Sequence, residues 1–319
     1  MNGILQLKPM VNLHPYLADG EIVAFNVGPD GYVYLVIALK PLDYAIEQPG
    51  WATFAKTVPD QPQKYRVVAL SGDQPVLNVV IGEEQFNIHH VQPLGDELLL
   101  VCARSYYKGP NDFEKNGRVY TRDGKFVRSM LLGDGIQSVQ TTSDGVIWTS
   151  FFDEGVFGNF GWQEPIGASG LVAWDSQGNK LYEFQPPEGL DSICDCYALN
   201  VESDDDVWCY YYTEFPLVHL HRNRIESFWK MPVGGSDAFA ISAGRALFRG
   251  GYKESDSYYF FSLETNGQVR QTAKIQLQDS RGDNLVAERA VGRANAIHLI
   301  SSGYLYRIDL RSIVPEDEG

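Results

Sequence analysis

A unit of strand, tight turn and strand recurs six times at intervals of roughly fifty residues, which predicts an all-β chain built as a six-bladed β-propeller. The copies are AFNVGPDGYVYLVIAL (24–39), HHVQPLGDELLLVCAR (89–104), QSVQTTSDGVIWTSFF (137–152), YALNVESDDDVWCYYY (197–212), AFAISAGRALFRGGY (238–252) and ERAVGRANAIHLISSG (288–303). In each, an apolar or small-residue run meets a polar turn and then a run rich in β-branched and aromatic residues, the composition that suits a pleated, packed surface. Hydrophobic residues make up 44% of the 319 and aromatics 13%, enough for a large core.

Each of the first five units is followed by a second hairpin. These are KYRVVAL (64–70) with PVLNVVI (75–81), GRVYTRDG (117–124) with KFVRSMLL (125–132), GLVAWDSQG (170–178) with KLYEF (180–184), LVHLHRNR (217–224) with IESFWKM (225–231), and YYFFSLETNG (258–267) with QVRQTAKIQL (268–277). Their turns use Asp-Gly, Asn-Gly or similar pairs, which supply the positive φ of tight hairpins. Every unit therefore reads as a four-stranded antiparallel meander. The blades span about residues 22–81, 89–132, 136–184, 195–231, 236–277 and 286–310 in one domain over 1–319. The last unit lacks a fourth strand after YLYRIDL (304–310), while GILQLKP (3–9) has no hairpin partner. The expected solution is that 3–9 completes the last blade and closes the ring, which hides sheet edges.

The Asp-Gly turns and aromatic strands of Ser143-Asp144-Gly145-Val146-Ile147-Trp148 and Val172-Ala173-Trp174-Asp175-Ser176-Gln177-Gly178 resemble the NHL-repeat and gluconolactonase-like (senescence-marker) propellers. The resemblance covers most of the chain and rests on structural turns. It implies either a hydrolase using a divalent metal held by Glu, Asn and Asp in the central channel, or a module that binds protein or RNA. No positions here match that metal-ligand set.

Lys plus Arg number 26 against 41 Asp plus Glu, a net charge of −15, and no basic stripe is visible, so nucleic acid is not an expected partner. The N-terminal stretch has no signal-peptide pattern and no apolar run approaches the length of a spanning helix, so no membrane partner is expected either. Four cysteines do not make a disulfide scaffold, and with these features they point to a cytoplasmic protein.

The connections 41–63, 105–116, 153–169 and 278–287 are long where the opposite turns are short, so one face is nominated for function. They carry Tyr44, Trp51 and Phe54, then Tyr106, Tyr107 and Phe113, then Phe157, Phe160 and Trp162. Such rings suit stacking on a flat ligand or a partner's apolar anchor, or else they pack as small cores under their own loops. Trp51, Tyr106, Tyr107, Phe157, Phe160 and Trp162, with Arg104 and Arg249, are the candidate binding residues.

Carboxylates and histidines collect at the predicted hub ends of the inner strands. Asp153, Glu154, Asp195, Asp237, Glu288 and His90 are the candidate metal ligands, for Ca²⁺ or another divalent cation; the alternative is an acidic rim with arginine counter-ions. His219-x-His221 and the cysteines 194, 196 and 209 read as surface or buried structural residues, with Cys209 placed opposite Leu199. No nucleophile elbow, phosphate loop or zinc-protease motif occurs. The expected function is non-catalytic binding of a protein, or of a polyhydroxylated or cationic small molecule, through the aromatic loop face. The alternative is a metal-dependent hydrolase or lactonase working through the five carboxylates.

Overall fold

The computed structural model describes residues 2–46, 50, 53–252 and 254–311. The chain is all-β, with the six four-stranded antiparallel blades of a six-bladed propeller. Two compact units divide it: residues 15–185 form one, and residues 1–14 with 186–319 form the other.

The first unit holds three blades. Their strands are Glu21–Val27, Val33–Ala38, Gln63–Ser71 and Gln74–Glu84; then His90–Leu94, Glu97–Val101, Gly117–Thr121 and Phe126–Met130; then Ile136–Thr141, Ile147–Phe151, Leu171–Trp174 and Lys180–Glu183. The fourth strand is the least buried in each of these meanders. Val33–Ala38 is buried at all six positions, whereas Gln74–Glu84 is exposed at most of its positions. An unbroken apolar run is what a strand covered on both faces requires. The core lies between successive blades: Tyr34, Val36 and Tyr65 pack on Leu98 and Leu100, and Leu99 and Val119 pack on Val139 and Trp174.

The second unit holds the remaining blades. Their strands are Asp195–Val201, Asp206–Tyr212, Pro216–His221 and Arg224–Lys230; then Phe239–Ser242, Arg245–Arg249, Ser257–Leu263 and Val269–Gln278; then Arg289–Arg293, Ala296–Ser301 and Tyr304–Asp309. The turn from His221 to Arg224 places Arg222 at φ 49° and Asn223 at φ 60°, so a two-residue hairpin is made here without glycine.

The N-terminal strand does complete the last blade, but not with residues 3–9. Val11–Asn12 pairs antiparallel with the last strand, Val11 opposite Leu305, and Leu13 beyond it is fully buried. Asn2–Gln6 instead pairs in parallel with Val269–Gln278 as a fifth strand on the fifth blade. The reason is apolar: Leu5 and Leu7 rest partly buried against the core shared by the fifth and sixth blades.

Buried amides tie the first strands of each unit together. In the first, Gln92 Nε2 donates to the Val27 carbonyl at 3.1 Å while its Oε1 accepts the Thr141 N–H at 3.1 Å. In the second, Asn200 Nδ2 donates to the carbonyls of Phe239 and Ala294, and its Oδ1 accepts the Ala294 N–H. A polar side chain can be buried at such a point because all its groups are satisfied.

Candidate functional site

In the first unit the connections between second and third strands carry structure of their own. The first blade's connection holds a hairpin of Ala45–Ile46 with Phe54–Ala55, and the second's a hairpin of Tyr107–Gly109 with Asp112–Phe113. The third blade's connection opens with a helical turn, Asp153–Phe157.

Arg104 sits buried beneath these loops. Its Nε and Nη2 donate to the two oxygens of Asp134 at 2.9 and 3.0 Å, and Nη1 donates to Glu154. The Phe160 ring covers the guanidinium, its centroid 3.9 Å from Arg104 Cζ. A planar, forked cation can bond both oxygens of Asp134 in parallel while its face lies against the ring, a combination that the point charge of an ammonium does not offer. Asp134 also accepts the Ser105 N–H at 2.8 Å. Burial holds its carboxyl above the usual carboxylate range, against the pull of Arg104.

Glu114 makes a second clamp. Its carboxylate accepts the Tyr106 N–H at 2.9 Å and the Thr57 hydroxyl at 3.2 Å, and its carbonyl accepts the Ser105 hydroxyl at 2.8 Å. The first two loops are thereby joined. The second and third interlock through rings: Tyr106 on Phe160 at 4.3 Å between centroids, and Tyr107 on Trp162 at 4.7 Å. Trp162 Nε1 donates to the Ser105 carbonyl at 2.7 Å, and the Tyr107 N–H to the Phe160 carbonyl at 2.9 Å.

The predicted aromatic residues thus separate into two kinds. Tyr106, Tyr107, Phe160 and Trp162 pack on one another and build the loops. Phe157 remains 67% exposed and Phe54 50% exposed, with Leu42, Ile46 and Val58 also outward. Trp51 lies outside the described residues.

Arg249, in the second unit, is engaged in the same internal way. It donates to Asp237 at 2.8 Å, to the Ser255 carbonyl at 3.0 Å and to the Ala287 carbonyl at 2.9 Å, so it shapes the loop that follows its own strand. Burial raises the Asp237 carboxyl, again against its arginine.

Among the described residues no three His, Cys, Asp or Glu side chains gather where they could hold a metal ion. The six candidate ligands therefore do not form the expected centre. Glu154 and Asp237 are turned to Arg104 and Arg249, and Asp153 accepts the Glu154 N–H. Glu288 accepts the Ser302 N–H, and Asp195 opens its strand opposite Tyr212. His90 lies with Nε2 3.3 Å from the Ile136 carbonyl oxygen, and burial pushes its pKa down to about 3. Arginines thus pair with Glu154 and Asp237, and backbone groups bond Asp153, Glu288 and His90.

His219 Nε2 and His221 Nδ1 share one oxygen of Asp206 at 2.9 Å each, and His219 stacks on Trp208 at 4.0 Å. Cys209 faces Leu199 as the hairpin spacing requires, and none of the four cysteines is joined in a disulfide. Sequence reasoning missed Asp134 and Glu114. The trace of Asp134 is an acid between two glycines, Gly133 and Gly135, which lets backbone crowd around it.

The model of the YxzG family matches residues 166–308, somewhat under half of the chain. No curated protein matches it. Among solved structures, the Dos1 propeller is 12% identical over 96% of this chain and 84% of that one, with a TM-score of 0.50. This likeness shows a propeller fold. Streptogramin B lyase is 11% identical over 91% of this chain and 93% of that one, at a TM-score of 0.48. The WD40 β-propeller domain of Doa1 is 12% identical over 91% and 92%, at 0.45. A propeller is compatible with binding and with catalysis alike, so function has to be argued from the site. No helix among the described residues is long and apolar enough to cross a membrane.

Proposed function

We propose that the chain is a non-catalytic binding module that recognises a partner protein through the loop extensions of residues 15–185. One observation carries this reading. The polar groups beneath the loops are bonded to each other, while the apolar side chains Phe54 and Phe157 project from the small elements above them. Arg104 with Asp134 and Glu154 makes a rigid base, and a rigid base lowers the ordering cost of association. Exposed phenylalanines, Phe54 on a loop hairpin and Phe157 on a helical turn, suit apolar anchoring in a partner's pocket. Asp153 and Glu164 are exposed on the same connection as Phe157, so a partner with basic side chains beside an apolar groove is the complement of that element.

The test uses affinity-tagged wild type and a Phe54→Asp/Phe157→Asp variant on cell extract of the source organism. Proteins retained by the wild type and lost by the folded variant support the reading. An identical set of retained proteins, with unchanged affinities for each, would overturn it.

A further inference from the structure

The second unit carries a cavity of about 320 Å³ lined by Pro232, Val233, Tyr252, Glu254, Tyr259 and Gln271, together with backbone of Gly234 and Gly251. We infer that this cavity is a binding site for an organic cation, a primary ammonium or guanidinium on an aliphatic stem. The inference stands apart from the loop face proposed above and uses none of its residues.

The lining states the chemistry. Two tyrosine rings and a carboxylate attract positive charge, Pro232 and Val233 offer apolar surface to a stem, and among the described lining residues there is no Lys, Arg or His. The volume sits at the small end of ligand sites, the size of one amino-acid side chain or a small amine. The chain's charge of −15 favours approach of a cation from solution.

The rim already holds one cation. Lys274 Nζ lies 5.2 Å from the centroid of Tyr259 and 3.0 Å from a Glu254 oxygen. An ammonium is thus stabilised by the same ring and carboxylate that line the cavity. Lys274 is a built-in competitor for their charge, and its removal frees both for a ligand.

The walls are set in advance. Tyr252 is 67% exposed, yet its hydroxyl is 2.6 Å from that of Tyr197, and its ring stands edge-on to Tyr197 and Phe215 with centroids 6.0 and 6.2 Å away. A Cβ on Gly235 would meet that ring at 2.6 Å, so the glycine lets the ring lie against backbone. A Cβ on Gly251 would stand 1.7 Å from the Gly234 carbonyl oxygen, so the two loops approach as closely as backbones can. Glu254 is held by its N–H to the Gly251 carbonyl at 2.8 Å, and Arg249 fixes the same loop through Ser255.

Calorimetric titration of the full chain tests this with three probes: n-butylammonium, N-acetyl-lysine methylamide, and the neutral N-acetyl-norleucine methylamide. At least one ammonium probe saturates the protein and the norleucine probe does not. Binding of the lysine derivative alone assigns the site to a peptide side chain, and binding of butylammonium alone to a free amine. Glu254→Gln and Tyr252→Ala, each with an unchanged melting temperature, weaken binding by about fivefold or more, while Lys274→Met tightens it about threefold. Equal binding of the norleucine probe would overturn the inference. So would unchanged affinity in both weakening variants, or the lack of saturation by either ammonium at tens of millimolar.

Discussion

Gly161 lies so close to Tyr107 that a Cβ on it would stand 2.1 Å from the Tyr107 carbonyl oxygen, and its φ is +87°. Both facts place the interlock of the second and third loops on a residue without a side chain. Gly161→Ala should therefore separate the loops, at a cost of about 1–3 kcal/mol from strain and lost ring packing. Near-ultraviolet circular dichroism should lose the Tyr107–Trp162 signal, and urea unfolding should report the destabilisation. A variant as stable as wild type with an unchanged spectrum would show that the loops do not depend on this contact.

Arg104 and Asp134 are both almost fully buried, so each is the other's main compensation. Replacing Arg104 alone leaves a buried carboxylate without its partner, and Arg104→Met should cost about 3 kcal/mol or more. Arg104→Met with Asp134→Leu removes both charges and should recover a substantial part of that loss. A double-mutant cycle by urea unfolding measures the coupling. Additive single-variant effects would mean that the pair acts as two separate residues.

The blades were legible because their signals are local. Val33–Ala38 is an apolar run that announces a strand covered on both faces, and turns such as Asp123-Gly124 announce their own geometry. The N-terminal strand is misplaced by the sequence pattern because Val11–Asn12 is two residues long and has no pattern to read, while the segment around Leu5 looks like a strand and is one, against a different blade. In the loops the ring-bearing segments were visible. Which rings turn inward was not, since Tyr107 and Trp162 meet across more than fifty residues. Arg104 was read as a ligand-binding or counter-ion residue, but its main partner, Asp134, sits in a glycine-flanked loop that carries no catalytic or metal spacing. The cavity beside Tyr252 arises from two glycine pairs brought together by blade packing, which no linear motif records.

Leu13 and Leu5 offer a direct test of how the N-terminal segment is held. Leu13 is fully buried and its N–H donates to the Gly303 carbonyl at 2.9 Å, whereas Leu5 is only partly covered. Leu13→Ala should cost about 3 kcal/mol, and Leu5→Ala under about 1 kcal/mol. Equal costs would argue that the fifth-blade strand matters as much as the short one on the last blade. Thermal melts of the two variants suffice to decide it.

His298, in the strand Ala296–Ser301, is 6% exposed, and burial, with Arg307 adding repulsion, pushes its pKa down to about 4. The unfolded chain binds a proton at this residue near pH 6.5 while the folded chain does not. Between those values the unfolded state holds more protons, so stability falls as pH drops, by up to about 1.4 kcal/mol per pH unit from this one residue. His90 acts in the same direction, whereas Asp134 and Asp237, raised by burial, act in the opposite one. The difference between wild type and His298→Leu isolates the residue from the others. The wild-type urea midpoint, taken relative to that of the variant, should fall as the pH is lowered from 7 to 5. A constant gap across that range would mean that His298 is protonated equally in both states.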